Sequence, residues 1–336
     1  MGNFINSLKQ TPLWVRVLHA IVAVQLLAMS KPILVDGGSQ NRLYLLKQTD
    51  LKQVEDVEAA ESLDAIIDGT ASQADYDQLN KIDSEPSQDR QALITKIDLT
   101  VGYFFILVAI FTLLWRRKSW VLAVILSLIS IWCVLDSYSA VLNGGKAFSA
   151  MTPYSLAARS VCPLLLALLF IRKPIRKDDS SDLSSTSINL IDFTARIAIA
   201  STFFAHGYKA VTGYFHFQDL IILSARKIGW DIPAETAQTM LKIIGYQDIV
   251  LAVVVLLIRS KAVLYWIAAW GIITAFSRVS ALGLEAYDQV LVRAANGGLA
   301  LMLIALYCWY YRASSGNYLR RRHFYGIRTL TRNQSS

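Results

Sequence analysis

The chain has 336 residues, of which 54% are hydrophobic and 17% are charged, and its mean hydropathy is +0.40. Charged residues make up about 25% of a typical soluble domain, so this composition excludes an ordinary soluble protein and indicates a membrane protein. The net charge is +8. Because the basic residues lie beside apolar runs, they follow the positive-inside rule and do not indicate a nucleic-acid partner.

Eight apolar runs approach the roughly 20 residues that an α-helix needs to cross a bilayer. The sequence therefore predicts an all-α membrane protein with eight transmembrane helices, which has the lipid bilayer as its partner. The predicted spans cover residues 13–35, 95–115, 119–141, 153–171, 190–211, 237–258, 262–284 and 289–311.

The charges predict the sidedness of these spans. Alternation places the basic connections 116–118, 172–177 and 259–261 on one side, together with the arginine-rich tail. The other side receives the loop 36–93, which holds 13 of the 25 acidic residues. By the positive-inside rule, both termini are cytoplasmic and the acidic loop is external. Segments 62–67 and 72–82 predict short helices in this loop, forming a small external helical cap. The alternative is a disordered acidic loop.

A serine- and aspartate-rich cytoplasmic linker, 177–188, divides the chain into two halves of four spans. The first half covers 1–176 with its external acidic loop 36–93, the second covers 189–313, and a basic cytoplasmic tail follows over 314–336. Residues 113–118 align with 256–261, and Arg159 aligns with Arg293. An even number of spans per half predicts parallel repeats related by an axis along the membrane normal.

The second half carries a set of short motifs over residues 190–311. They are Arg196 early in its first span, His206-Gly207-Tyr208-Lys209 at the outer end of that span, Pro233, Asp248 and Arg259-Ser260-Lys261-Ala262. With these motifs the second half resembles the DoxX family of small four-span membrane proteins. Asp248 stands where that family often has Glu, and the first half lacks the His-Gly-x-Lys signature around residues 29–32. The resemblance implies a four-helix unit in a bacterial inner (plasma) membrane.

Ionisable side chains within lipid-spanning helices are costly, so they usually face protein or water and mark a site. The candidate ligand-binding residues lie in the outer parts of their spans: Arg159, His206, Lys209, Asp248, Arg278 and Arg293. Such a cationic group is suited to an oxyanion or a quinone carbonyl. The alternatives are internal ion pairs, Asp136 with Arg159 and Asp248 with Arg278 or Arg293, and snorkelling of the long side chains to the interface. We expect Asp248 within salt-bridge reach of Arg293, Arg278 or Lys209.

The sequence assigns no catalytic residue, and whether the protein is an enzyme stays open. Its four His residues form no metal-ligand pattern, its three Cys residues form no C-x-x-C pair, and no cofactor-binding motif is evident. A quinone is the one cofactor that the resemblance allows. The favoured function is an accessory or small-molecule-binding membrane subunit, for an anion or a quinone-like ligand. One alternative is a quinone-linked oxidoreductase subunit that works with a separate redox partner. Another is an assembly protein that docks a partner through residues 36–93.

Overall fold

The computed structural model describes residues 11–48, 73–115, 118–144, 150–171 and 185–314. The regular elements in these ranges are helices, in agreement with the predicted all-α class. They are α1 (Leu13–Leu34), α2 (residues 40–48), α3 (Gln73–Leu114), α4 (Trp120–Asn143), α5 (Thr152–Ser155), α6 (Ala157–Ile171), α7 (Ser185–Val211), α8 (Phe215–Lys227), α9 (Ala234–Leu257), α10 (Lys261–Leu282), a 3₁₀ turn (Leu284–Ala286), α11 (Tyr287–Leu291) and α12 (Ala294–Ser314).

Six of the described helices are long and apolar enough to cross a membrane: α1, α3, α4, α7, α9 and α10. The turn with α11 and the following α12 would be a seventh span, bent by 48° at the junction. Helix α6 has 15 residues, fewer than the roughly 20 that a span needs. The chain is thus a multi-pass membrane protein, and the apolar runs 153–171 and 289–311 are each divided by a break.

Helix α3 differs from the prediction. The predicted short helix 72–82 and the predicted span 95–115 belong largely to one continuous helix of 42 residues. The predicted helix 62–67 lies outside the described residues. A change from polar to apolar side chains alters the surroundings of a helix but does not interrupt its backbone, so hydropathy marks only the apolar part of α3.

The long helices pack in the same order in each half of the chain. In the first half α1 packs on α3 and α4 on α6, and in the second half α7 packs on α9 and α10 on α12. Between the halves, α12 packs on α1 and α6 packs on α7. The buried core runs across these contacts, and its largest fully buried side chains include Trp14, Leu26, Leu166, Ile199 and Met302.

Two helix pairs in the second half approach each other at glycines. A Cβ atom added to Gly207 of α7 would lie 2.6 Å from the carbonyl oxygen of Gly245 on α9, and one added to Gly245 would lie 2.7 Å from the carbonyl oxygen of Gly207. On α10 and α12, Gly271 and Gly297 meet in the same way, at 2.7–2.8 Å from facing backbone. Small residues permit this close backbone packing between membrane helices.

Two carboxylates anchor the start of helix α2. Asp98 of α3 accepts hydrogen bonds from the Ser39 backbone N–H at 2.9 Å and from the Ser39 hydroxyl at 2.5 Å. Asp136 of α4 accepts from the backbone N–H of Gln40 at 2.9 Å and of Asn41 at 3.4 Å. Carboxylates favour helix N-termini because the first N–H groups lack partners within the helix. These contacts tie the described start of the acidic loop to the helix bundle.

A third buried carboxylate, Asp192 near the start of α7, joins α7 to α12 and to the turn between α9 and α10. It pairs with Arg259 at 3.0 Å and with Arg196 at 3.6 Å, and it accepts a hydrogen bond from the Tyr307 hydroxyl of α12. Arg196 also donates to the carbonyls of Val255 and Leu256, each at 2.6 Å. The last carbonyls of a helix have no partner within it, so Arg196 caps the end of α9.

Candidate functional site

A polar cavity of about 690 Å³ lies between the two halves of the chain. First-half residues on α1, α4, α5 and α6 form one wall, and second-half residues on α7, α8, α10, α11 and α12 form the other. It brings together five of the six candidate residues: Arg159, His206, Lys209, Arg278 and Arg293. The sixth candidate, Asp248, does not line it.

Lys209 spans the boundary between the halves. It extends from the last turn of α7, and its Nζ donates to the hydroxyls of Thr152 and Ser155 on α5, at 3.3 and 3.5 Å. The same Nζ lies 5.5 Å from the ring centroid of Tyr214. Burial raises the pKa of Tyr214, so its phenol remains a neutral hydrogen-bond donor at pH 7. The buried ammonium is therefore held by neutral groups.

Arg278 and Arg293 bring two guanidinium groups into the polar cavity. Arg278 is buried on α10 and donates to the Thr274 carbonyl at 2.8 Å and to the Ser277 hydroxyl at 3.2 Å. Arg293 lies at the break between α11 and α12 and donates to the Gln289 carbonyl at 2.6 Å. Each bond uses part of the donor fork and leaves other N–H groups for a ligand.

Three of the four acids that line the polar cavity pair with Arg159 or Lys31. Asp136 pairs with Arg159 at 3.4 Å, which confirms the predicted ion pair. Lys31 of α1 binds both Asp288 and Asp36, at 2.8 and 3.7 Å. The remaining acid, Asp219, is exposed on α8. Within the described ranges, no carboxylate lies within 4.0 Å of the three second-half cations Lys209, Arg278 and Arg293.

An apolar cavity of about 630 Å³ adjoins the polar one, and Asp248 lies in its wall. The Asp248 carboxylate accepts a hydrogen bond from the Trp270 indole N–H at 2.7 Å. The expectation of an ion pair from Asp248 to Arg293, Arg278 or Lys209 is wrong. The Asp248 carboxylate instead binds the Trp270 indole of the neighbouring helix α10. Lys209 lines the polar cavity, whereas Asp248 lines the apolar one.

His206 lies between the two cavities and lines both. It is half-buried, and its ring packs edge-on against Phe217 of α8 with centroids 5.9 Å apart. Helix α8 thereby covers the region where the cavities meet. This helix covers Phe215–Lys227 and has its one buried residue at Ala225.

Sequence reasoning missed the first-half hydroxyls of the site, Thr152 and Ser155. Neither stands out from other polar residues near the end of a span. One available signal was Pro153, which occupies the first turn of α5. Proline there marks a helix start, and it would have located the short helix that carries both hydroxyls.

No protein-family model, curated protein or solved structure matches this chain. The resemblance of the second half to DoxX proteins therefore stays a prediction, carried by the residues named for it above.

Proposed function

We propose that this protein is an accessory membrane subunit that binds a small anion in the polar cavity. The observation that carries the proposal is the set of buried or half-buried cations Lys209, Arg278 and Arg293, which have no acidic partner among the described residues. A buried charge without a partner costs several kcal/mol (order of magnitude), so a bound anion would offset an existing cost.

The donors in the cavity suit an oxyanion such as phosphate, sulfate or a carboxylate. A guanidinium group presents a planar fork of N–H donors that fits two oxygens at once, and an ammonium group adds a compact point charge. Arg278 and Arg293 supply the forks, and Lys209 supplies the point charge. Asn296 lines the same cavity and adds a neutral amide. The hydrocarbon and protein surroundings strengthen each of these interactions relative to water.

Replacing Arg293 by glutamine is expected to weaken binding of inorganic phosphate by the full-length protein. Loss of one charge-assisted hydrogen bond costs about 1.5–3 kcal/mol, which corresponds to roughly 10- to 100-fold in affinity. Arg278→Gln and Lys209→Gln should have effects in the same direction. Isothermal titration calorimetry in a neutral detergent measures the affinities.

The matched control is Arg226→Gln, which removes an exposed arginine from α8 without touching either cavity. It should leave phosphate affinity within about twofold of the wild-type value, because an exposed charge contributes little across screening solvent. An unchanged affinity in Arg293→Gln, combined with a lower unfolding temperature, would mean that the cations serve packing alone.

A quinone-linked subunit is the second candidate function. The apolar cavity favours it, since its aromatic and aliphatic walls adjoin the donors of His206 and Arg278. The glutamine variants separate the two functions. Glutamine keeps N–H donors for a neutral quinone carbonyl but loses the charge that an anion requires, so a quinone site would tolerate Arg278→Gln.

The third candidate, docking of a partner through 36–93, concerns a loop of which residues 49–72 lie outside the described ranges.

We also propose the finer architecture of eight spans in two parallel four-helix repeats, with both termini cytoplasmic in a bacterial inner membrane. The matching order of helix packing in the two halves supports it, as does a short helix before the last long helix of each half. In this arrangement α6 crosses the membrane despite its 15 residues, together with the preceding α5. Arg159 and Arg293 then lie near corresponding breaks.

Two cysteine substitutions test whether α6 crosses the membrane. Lys118 and Asp231 are both exposed, and three proposed spans separate them, so they should face opposite sides. A membrane-impermeant maleimide added to intact cells should label Asp231→Cys and leave Lys118→Cys unlabelled until the membrane is permeabilised. The native cysteines are buried or half-buried and give the background. Labelling of both positions from one side would mean that α6 does not cross.

A further inference from the structure

The polar and apolar cavities share part of their walls. His206, Phe217, Arg278 and Arg293 line both of them. We infer that the ligand is an anionic amphiphile, with a phosphate or carboxylate head group in the polar cavity and an apolar chain in the apolar cavity. The position of the head group depends on the anion site proposed above. The apolar chain is the new part of this inference.

The apolar cavity is lined for a hydrocarbon chain. Its volume of about 630 Å³ is comparable to the 690 Å³ of the polar cavity, and both fall in the roughly 300–1,000 Å³ range of small-molecule pockets. Ile221, Met240 and Ile244 are among the apolar side chains that line it. An inorganic anion at Arg293 would leave these walls uncovered, whereas an attached chain would bury apolar surface against them.

The apolar cavity also borders the exposed surface of the helix bundle. Ile273 and Phe276 line it from α10, a candidate membrane span, and each is 58% exposed. Large apolar side chains on the outside of a membrane-spanning bundle face lipid. The chain therefore has a lateral route from the bilayer. In this arrangement the head group lies toward the cations and the chain toward the hydrocarbon. An amphiphile in a membrane has the same orientation.

Asp248 fixes the direction of the ligand. It is the one acidic side chain lining the apolar cavity among the described residues, and its carboxylate is held by Trp270. An anionic head group beside Asp248 would meet a carboxylate in place of a cation, whereas Arg278 and Arg293 lie at the boundary with the polar cavity. The head group is thus directed to the arginines and the chain past Asp248.

Three probes and four variants test this assignment in the full-length protein in neutral-detergent micelles. The probes are monododecyl phosphate, inorganic phosphate and dodecyltrimethylammonium. Ile244→Trp fills the apolar cavity from α9, and Ile243→Trp places the same side chain at the adjacent, 65% exposed position as the matched control. Ile221→Phe repeats the filling from α8 with a smaller added volume, in case Ile244→Trp does not fold.

Filling the apolar cavity should weaken monododecyl phosphate binding about tenfold or more, since burying each methylene favours binding by roughly fourfold. Phosphate affinity should stay unchanged in the same variant, and Ile243→Trp should match the wild type for both probes. Arg293→Gln should weaken both probes. Partition of the probe into micelles is common to all variants and cancels in the comparison.

Equal binding of monododecyl phosphate by the wild type and both cavity-filling variants, with phosphate binding retained, overturns the amphiphile and leaves the anion site standing. Equal affinity for dodecyltrimethylammonium also overturns it, because the head-group charge would then be irrelevant. Absence of phosphate binding to the wild type overturns the anion site itself. Nanodiscs identify the source of a confirmed ligand. Competition by added phosphatidylglycerol indicates a bilayer lipid, and its absence indicates a free single-chain amphiphile; either result sustains the assignment.

Discussion

Replacing Asp192 by alanine is expected to destabilise the fold by about 3–5 kcal/mol, because it removes the counter-ion of the buried Arg196. The Asp192 side chain is fully buried, and Arg196 beside it is 8% exposed. Arg259 approaches the same carboxylate oxygen, so removal of the acid would leave two arginines facing each other. Tyr307 would lose its hydrogen-bond acceptor as well. Thermal unfolding in detergent and the yield of monodisperse protein measure the loss.

Asp192→Asn refines this expectation. It keeps an oxygen acceptor for Tyr307 but removes the charge, so its cost should lie between those of the wild type and alanine variants. Asp231→Asn is the matched control, because Asp231 is exposed between α8 and α9 and should change stability by less than about 0.5 kcal/mol. If Asp192→Ala unfolds at the temperature of the Asp231→Asn control, the ion pairs at this end of the bundle contribute nothing to stability.

Gly207→Leu is expected to abolish the close contact of α7 and α9 and to lower the folded yield severely. Even the single carbon of alanine would lie 2.6 Å from the Gly245 carbonyl oxygen, and backbone cannot rotate away as a side chain can. Overpacking of this kind typically costs about 1–3 kcal/mol and more for larger side chains. Lys209 and His206 flank this contact, so Gly207→Ala should also weaken phosphate binding. Unfolding temperature and phosphate titration of the same preparation measure both effects.

Gly102→Ala provides the control for Gly207→Ala. Gly102 of α3 also faces a neighbouring helix, but its nearest neighbours are the side chains of Leu34 and Ile33. Those side chains can move, and alanine improves helix propensity over glycine by up to about 1 kcal/mol. The net effect should be near zero. A Gly207→Ala variant as stable as Gly102→Ala would show that α7 and α9 separate without penalty.

Hydropathy and charge placement predict much of this fold because both report how each segment meets the bilayer. They locate the apolar helices that carry the ionisable residues. They also predict the pairing of Asp136 with Arg159. The breaks near Leu156 and Arg293 escape them, since an interrupted helix and a straight one have the same composition.

Contacts between distant segments explain the other differences. Position along the predicted spans alone favoured an ion pair between Asp248 and Lys209. The partner of Asp248 is decided instead by the rotation of α9 against α10, which turns the carboxylate to Trp270. The partners of Lys209 come from the other half of the chain, at Thr152 and Ser155. Periodicity within one helix carries no information about either arrangement.

The Asp136 carboxylate connects helix α2 to the wall of the polar cavity. One oxygen, Oδ1, accepts a hydrogen bond from the α2 backbone at Gln40, and the other, Oδ2, pairs with Arg159 in the cavity wall. The position of α2 and the position of Arg159 therefore both depend on the Asp136 side chain. For a ligand whose binding moves Arg159, thermodynamic linkage is reciprocal: if the ligand changes the hold of Asp136 on α2, then a pull on α2 changes the affinity for that ligand by the same factor.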